Sequence, residues 1–288
     1  MLRTIFIATE NDFSQMLVHW LAQRTDLAGV VWSSAASWHR SWAGRIEFAR
    51  KRFKRHGAVK ALDEALFYIV YHTFFDHRNR AELEESLTRP YKNLHDIRWH
   101  GDKIRAADVN SPAVLDFIRQ RNPDLILAQC INEYFGRMLR QASQHGLFLL
   151  HDGITPEYKG LYSPFWAVHN LDFAKIGCTL LRVNEEYDGG EIFEQALVSD
   201  LDHYADHCYV GHKATAEILP KVESFLIRLE RGTASPIDRA DRASRSYTYP
   251  GCTDLLRQRI RLWRWNAQQA ALKKRNLQNP GSRELSQD

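Results

Sequence analysis

Two periodicities alternate along this chain, and the switches between them lay out strands and helices in turn. Ile5, Phe6, Ile7 and Ala8 form an apolar run that predicts a first strand over Arg3 to Ala8. After a polar turn from Thr9 to Ser14, with Asp12 or Ser14 as candidate cap, Phe13, Met16, Leu17, Trp20 and Leu21 share one helical face. That spacing predicts a helix from Phe13 to Gln23. Leu27 to Trp32 reads as a second strand, and strand, helix, strand at this spacing predicts a parallel sheet. The same reading gives a helix from Ser111 to Arg121 opened by Pro112, then a fully buried strand from Leu125 to Ala128. A helix from Phe135 to His145 leads into the apolar strand Leu147 to Leu150. Trp166 begins another helix, Gly177 to Val183 and Ile192 to Val198 are strands, and His203 to Arg231 is a helix with a break or kink at Pro220.

Two stretches stand outside this alternation. From His39 to about Arg89 the chain reads as helical, an insertion over about 38–92. Its first part carries Arg40, Arg45, Arg50, Lys51, Arg52, Lys54 and Arg55, which is either a solvated helix face or a docking face for an anionic substrate or carrier. Its aromatic cluster, Phe67, Tyr68, Tyr71, Phe74 and Phe75, is expected in the core. The second stretch begins at 234 and follows a unit over 1–233, the size of one domain. Ala234 to Arg245 is a polar connector, Asp254 to Lys274 a basic amphipathic helix, and Asn276 to Asp288 a disordered tail. In that helix Leu256, Ile260, Trp263 and Ala267 form the apolar face, beside Arg257, Arg261 and Arg264. Packing across the domain with the arginines in water is one reading; a partner, an acidic membrane surface or RNA are the others.

Composition narrows the class. At 288 residues with 44% hydrophobic content the chain can bury a sizeable core, and a net charge of +4 is too mild to imply nucleic acid. No window approaches the roughly 18 apolar residues of a membrane span, and the N-terminus reads as a strand rather than a signal peptide. The cysteines, Cys130, Cys178, Cys208 and Cys252, are far apart without a C-x-x-C pair, which points to reduced thiols, a cytoplasmic protein and no metal site.

The candidate chemistry lies where apolar strands end. His151 leaves the strand from Leu147, the position at which open α/β sheets place ligands, and Asp152-Gly153 turns the chain after it. His151 is an acid–base candidate or a hydrogen-bonded structural histidine. Gln129 and Asn132 stand at another strand exit, where Asn132 is a site residue or a turn residue. His169 is expected on a helix surface. The first turn has no G-x-G-x-x-G, so the dinucleotide fingerprint is absent.

Two segments add a resemblance. His151-Asp-Gly-Ile-Thr-Pro-Glu-Tyr-Lys-Gly160 resembles the H-x-S-L-L-P-x-Y-R/K-G loop of folate-dependent formyltransferases. Gly177 to Gln195 resembles that family's G-x-T-x-x-x-V-x-x-x-x-D-x-G-x-I-x-x-Q segment, in the right order and at about the right separation. The resemblance implies an α/β, Rossmann-like formyltransferase domain with a mostly parallel sheet, here with a helical C-terminal extension. It implies transfer of a formyl group from 10-formyltetrahydrofolate to the amine of a small molecule, with His151 and Asp188 as the catalytic pair. Amine attack builds an oxyanion and a proton must reach the leaving folate nitrogen; a histidine held by a carboxylate serves both needs. The family's catalytic asparagine, two residues before the histidine, is Leu149 here. Gln129, Asn132 and Asp152 are the polar candidates to replace it, with Asp152 and Gly153 as substrate and oxyanion candidates. Gln129, Asn132, Tyr187 and Gly189 are the expected folate-binding residues. Leu149 leaves three outcomes: a substituted transferase, a modified reaction such as hydrolysis of the formyl donor, or a fold kept without activity. The helical stretch after Gly232 stands where the tRNA branch has a β-barrel, which argues against tRNA as partner. A homo-oligomer is left open.

Overall fold

A computed structural model of the chain describes residues 1–34, 42–74, 85, 87, 99–129, 131, 133–201, 207–238 and 241–278. Strand β1 (Arg3–Thr9) leads into helix α1 (Asp12–Ala22) and strand β2 (Asp26–Ser33), which returns beside β1 in parallel. The cap of α1 is Asn11, not Asp12 or Ser14: its Oδ1 accepts from the Ser14 N–H at 2.8 Å. Helix α2 (Trp42–Phe74) follows, then β3 (Lys103–Ala106), α3 (Pro112–Arg121), β4 (Leu125–Gln129), the short α4 (Arg137–Arg140) and β5 (Leu147–His151). Strand β6 (Lys159–Gly160), α5 (Ser163–His169), β7 (Gly177–Arg182), β8 (Glu191–Leu197), α6 (His207–Glu230), β9 (Ser246–Tyr247) and α7 (Cys252–Gln278) complete the order.

Seven strands form one sheet in the order β3-β2-β1-β4-β5-β7-β8. The pairs up to β5 are parallel, and β7 and β8 add antiparallel. The expected α/β class with a mostly parallel sheet is therefore present. Alternating residues of each central strand feed two cores. Phe6, Leu127, Phe148 and Leu150 pack with α1 and α6 on one face; Ile5, Ile7, Ala128, Leu147 and Leu149 pack with α3 on the other. Apolar residues on both faces are what a parallel sheet covered by helices demands.

Several expected elements differ. The helix read over Phe135–His145 is only the single turn of α4, because Ser143 and Gly146 (φ 86°) turn the chain before β5. Helix α5 starts at Ser163 and ends at His169 rather than starting at Trp166. Helix α6 runs through Pro220 without stopping: Ile218, Leu219 and Val222 on either side are buried in the core, and that packing offsets the lost ladder bond and the ring's clash. Helix α2 is interrupted at Gly57 (φ 79°, ψ 171°); the insertion beyond Phe74, apart from residues 85 and 87, lies outside the described residues. Phe67 and Tyr71 are buried as expected, whereas Phe74 is exposed. In the basic run Arg52 is no solvated side chain: buried, it forks onto Glu64 at 2.6 Å through both contacts. Lys51, Lys54 and Arg55 are exposed.

Helix α7 packs on α2 and α5, but through the face opposite to expectation. Gln258 donates to the Phe165 carbonyl at 2.9 Å and Leu262 is fully buried, while Leu256, Ile260 and Trp263 are exposed. Lys60 reaches Asp254 at 3.2 Å, and Asp63 accepts from the Thr253 N–H at 2.9 Å. His169 is buried rather than superficial, and Arg261 of α7 donates to its carbonyl at 2.9 Å. Burial pushes its imidazole below the ordinary value. No helix among the described residues is long and apolar enough to cross a membrane.

Candidate active site

The site grows from the end of β5. That strand lies between parallel β4 and antiparallel β7, with Gln129 of β4 opposite Leu150, and His151 opposite Thr179 of β7. Side chains alternate along a strand, so His151 shares the face of Leu147 and Leu149. Gln129 shares the face of Leu127, under α1, where its Oε1 accepts from the Ser14 hydroxyl at 3.3 Å.

His151 is 5% exposed, and its two ring nitrogens face different partners. Nε2 lies 2.8 Å from the Tyr158 carbonyl, which only accepts, so Nε2 carries a proton. The Ser163 hydroxyl lies 3.3 Å from the same nitrogen. Nδ1 faces two carboxylates, Asp188 Oδ2 at 3.6 Å and Asp152 Oδ1 at 3.8 Å. With Nε2–H fixed on a carbonyl, a neutral ring would aim a bare lone pair at two anions; the cation avoids this. Burial disfavours the charge, yet Asp188, Asp152 and the Tyr158 carbonyl outweigh it and raise the imidazole above its ordinary value. The carboxyl of Asp152 is also raised, by desolvation first and by Asp188, with His151 pulling the other way.

Asp188 is held in a left-handed turn (φ 49°) and its Oδ2 accepts from the Gly160 N–H at 2.8 Å. Its side chain is 13% exposed, against 46% for Asp152, so Asp188 is the inner partner and Asp152 stands at the mouth. The loop after His151 is locked from β7 and β8. Thr179 donates to the Gly153 carbonyl at 2.7 Å and accepts from the Thr155 N–H at 3.1 Å. Gln195 donates to the Thr155 carbonyl at 2.7 Å and to Thr179 Oγ1 at 3.0 Å. Gly153 admits no side chain, because a Cβ would sit 2.6 Å from His151 Nε2 and from Ser163 Cβ.

The sequence candidates thus separate. His151, Asp152, Gly153 and Asp188 come together. Gln129 lies on the other face of the sheet, tied to Ser14. Asn132 lies outside the described residues. Tyr187 is exposed and packs edge-on to Tyr134, also exposed, with ring centroids 5.5 Å apart. Gly189 follows Asp188 in the turn, where its carbonyl accepts from Asn184 at 3.5 Å. Leu149 is 7% exposed in the apolar cluster with Ala128 and Leu181 and offers no donor. Three positioning residues had drawn no role from the sequence: Thr179 and Gln195, which stand as T and Q inside the second motif, and Ser163. A fourth polar group, Glu133, ties β2 to the exit of β4. It accepts from the Ser33 hydroxyl at 2.5 Å and the Val109 N–H at 3.2 Å, and burial raises its carboxyl. No three histidine, cysteine or acidic side chains converge as metal ligands among the described residues.

A histidine between two carboxylates thus stands at the C-terminal edge of the parallel strands, where open α/β sheets place their ligands. The family model described as "Formyl transferase" matches residues 70–215, half of the chain, and the chain belongs to that family. It is 26% identical over 129 residues to the methionyl-tRNA formyltransferase of Thermotoga neapolitana, covering 45% of this chain and 41% of the relative. It is 25% identical over 137 residues to the GDP-perosamine N-formyltransferase of Brucella melitensis, covering 47% of this chain and 52% of the relative. The matched stretch thus spans about half the length of these curated relatives. Among solved structures, a sugar N-formyltransferase from a Shewanella species superposes with a TM-score of 0.51 at 12% identity, covering 86% of this chain and 77% of that one. A variant of HypX from Aquifex aeolicus gives 0.50 at 15% identity, covering 86% and 30%. These last two likenesses speak for the fold.

Proposed function

We propose that the chain transfers a formyl group from 10-formyltetrahydrofolate to the amine of a small molecule, with His151 and Asp188 as the catalytic pair. The observation that carries this reading is His151 Nδ1 held 3.6 Å from Asp188 while Nε2 is fixed on a backbone carbonyl. The residues present suit a folate donor. Tyr134 and Tyr187 offer exposed ring faces on the two loops beside the site, and stacking on a flat heterocycle is what such faces do well. When bound, that donor supplies an activated formyl carbon.

The roles of the protein groups follow from their placement. Asp152, half exposed at the mouth, accepts the proton that the attacking amine loses. His151 in its cationic form faces the negative charge growing on the formyl oxygen and supplies the proton for the leaving nitrogen. Asp188 keeps the ring charged and aimed. Leu149 removes the amide donor expected two residues before His151, which leaves the His151 cation as the group facing the growing charge. The relatives act on methionyl-tRNA and on GDP-perosamine, as their names state; the stretch of this chain after α6 lies against the loop beside its own site, which favours a small acceptor.

The test incubates the protein with 10-formyltetrahydrofolate and a panel of small amines and follows tetrahydrofolate release and product mass. Release that depends on an amine supports the transferase. Release in water alone would assign hydrolysis instead. Absence of folate binding by calorimetry would remove both and leave a binding protein that keeps the fold.

A further inference from the structure

Beyond the catalytic pair, the segment after α6 has an unexpected destination. It lies against the loop that holds His151, in three sets of contacts. The two-residue strand β9 pairs in parallel with β6, Ser246 beside Lys159 and Tyr247 beside Gly160. Three backbone bonds extend the pairing: Lys159 N–H to the Arg245 carbonyl at 3.0 Å, Leu161 N–H to the Tyr247 carbonyl at 3.1 Å, and Arg245 N–H to the Pro156 carbonyl at 3.1 Å. The Tyr247 ring stacks on Tyr158, centroids 5.2 Å apart and planes within 9°, and on Trp166 at 5.4 Å. Trp166 in turn donates to the Thr248 carbonyl at 2.8 Å. Finally, Arg242 forks onto Glu157 at 2.6 and 3.1 Å and donates to Gln195 Oε1 at 3.0 Å.

The pinned loop carries two atoms that matter to the site. The Tyr158 carbonyl receives His151 Nε2, and the Gly160 N–H holds Asp188 Oδ2. Both members of the pair are therefore oriented from residues 158–160, and those residues are clamped from outside by 242–248. Gly160 shows how close the approach is: at φ 92° a Cβ would run into the Tyr247 carbonyl. A half-buried two-residue strand has little stability of its own, so β6 takes part of its order from the strand paired on it.

We propose that residues 242–248 form a strap that sets the orientation of His151, with Tyr247 as its positioning residue. Tyr247 acts through Tyr158 and Gly160 and touches neither His151 nor Asp188 in the contacts described above. The orientation claim stands without any assumed reaction; its catalytic consequence rests on the formyl-transfer reading.

The experiment reads His151 directly, by NMR of the full chain with 15N-labelled histidine, following tautomer and titration in wild type, Tyr247→Ala and Tyr247→Phe. Wild type should show the Nε2–H tautomer with a midpoint above the ordinary imidazole value, where Asp188 and Asp152 face Nδ1. In Tyr247→Ala the tautomers should mix and the midpoint fall, while Tyr247→Phe, which keeps the stacked ring and loses only the contact from Asn170, should match wild type. Arg242→Ala, which breaks the strap's own bonds to Glu157 and Gln195 Oε1, is the second variant should Tyr247→Ala not fold, with the same direction of change. Where formyl transfer is measurable, kcat should fall about 10- to 100-fold in Tyr247→Ala with KM moved far less, the pattern of a misplaced catalytic group. A folded Tyr247→Ala or Arg242→Ala protein whose His151 tautomer and midpoint equal wild type would overturn the strap. A wild type that binds no folate would instead sink the functional reading and leave the NMR result to decide the strap alone.

Discussion

Strands β4 and β5 lie side by side, run in parallel and each end on a polar residue, yet they deliver it to opposite faces. Gln129 leaves β4 under α1 and joins Ser14; His151 leaves β5 into a ring of carboxylates and a carbonyl. The two runs, Leu125 to Gln129 and Leu147 to His151, are equally buried and equally apolar. What separates them is parity. The register pairs Gln129 with Leu150, so His151 falls one residue further, on the other face. The neighbour across the sheet completes the difference, because His151 meets Thr179 on β7. Proximity to a sheet edge thus makes a polar residue a candidate, and the face it takes decides its partners.

The largest effect that sharpens this comparison is at His151. His151→Ala should lower amine-dependent turnover by at least about 1000-fold, since one group supplies both charge stabilisation and the proton. Gln129→Leu, the matching change at the other exit, should leave turnover within about 2-fold and cost about 1–3 kcal/mol of stability by stranding the Ser14 hydroxyl. Denaturant unfolding beside steady-state rates checks both, and a Gln129→Leu protein as inactive as His151→Ala would break the comparison.

Asp188→Asn comes next, with a loss of about 100-fold in kcat. Its pH profile carries the sharper information. A raised imidazole keeps its charge to higher pH, so wild-type kcat should fall as pH rises through the elevated His151 midpoint. Removing Asp188 takes away the stronger of the two carboxylate contributions, and the falling limb should shift to lower pH. The linked stability has the same sign: the pair stabilises the fold below the ordinary imidazole range and the gain is lost as pH rises through the raised midpoint. Glu157, at the strap, has the opposite sign. Burial opposes its charge, but Arg242 and Lys175 hold its carboxyl below the usual range. Its contribution is present above the ordinary carboxylate value and is lost as pH falls through the lowered one.

Leu149→Asn carries the smallest effect on rate. An amide there is expected to raise turnover a few-fold or leave it unchanged, while costing about 1–3 kcal/mol because the site is 7% exposed among Ala128 and Leu181. A loss of activity in a folded Leu149→Asn protein would mean that the leucine itself serves the reaction.

How far the sequence was legible follows the range of the interactions. Strands β1, β2, β4, β5, β7 and β8 are written in local apolar runs, and the pairing of His151 with Asp188 was readable from two motifs. The strap was not. Ala234 to Arg245 read as a polar connector because Arg242 finds Glu157 across 85 positions of sequence, and Ser246–Tyr247 is too short for any period. The buried face of α7 departs from its apolar stripe for a related reason. Leu256, Ile260 and Trp263 form the more apolar stripe, but Gln258 and Asp254 face inward because α5 and α2 offer them a carbonyl and an ammonium. Polar residues with specific partners outbid a generic stripe, and partners are invisible to periodicity.

The most direct measurement of the central claim is tetrahydrofolate release from 10-formyltetrahydrofolate by wild type and by His151→Ala, with and without a saturating acceptor amine. Wild type should release tetrahydrofolate only when the amine is present, and His151→Ala should release none above background at unchanged folate affinity. Equal release by both proteins would show that His151, for all its place between Asp152 and Asp188, does not carry the reaction.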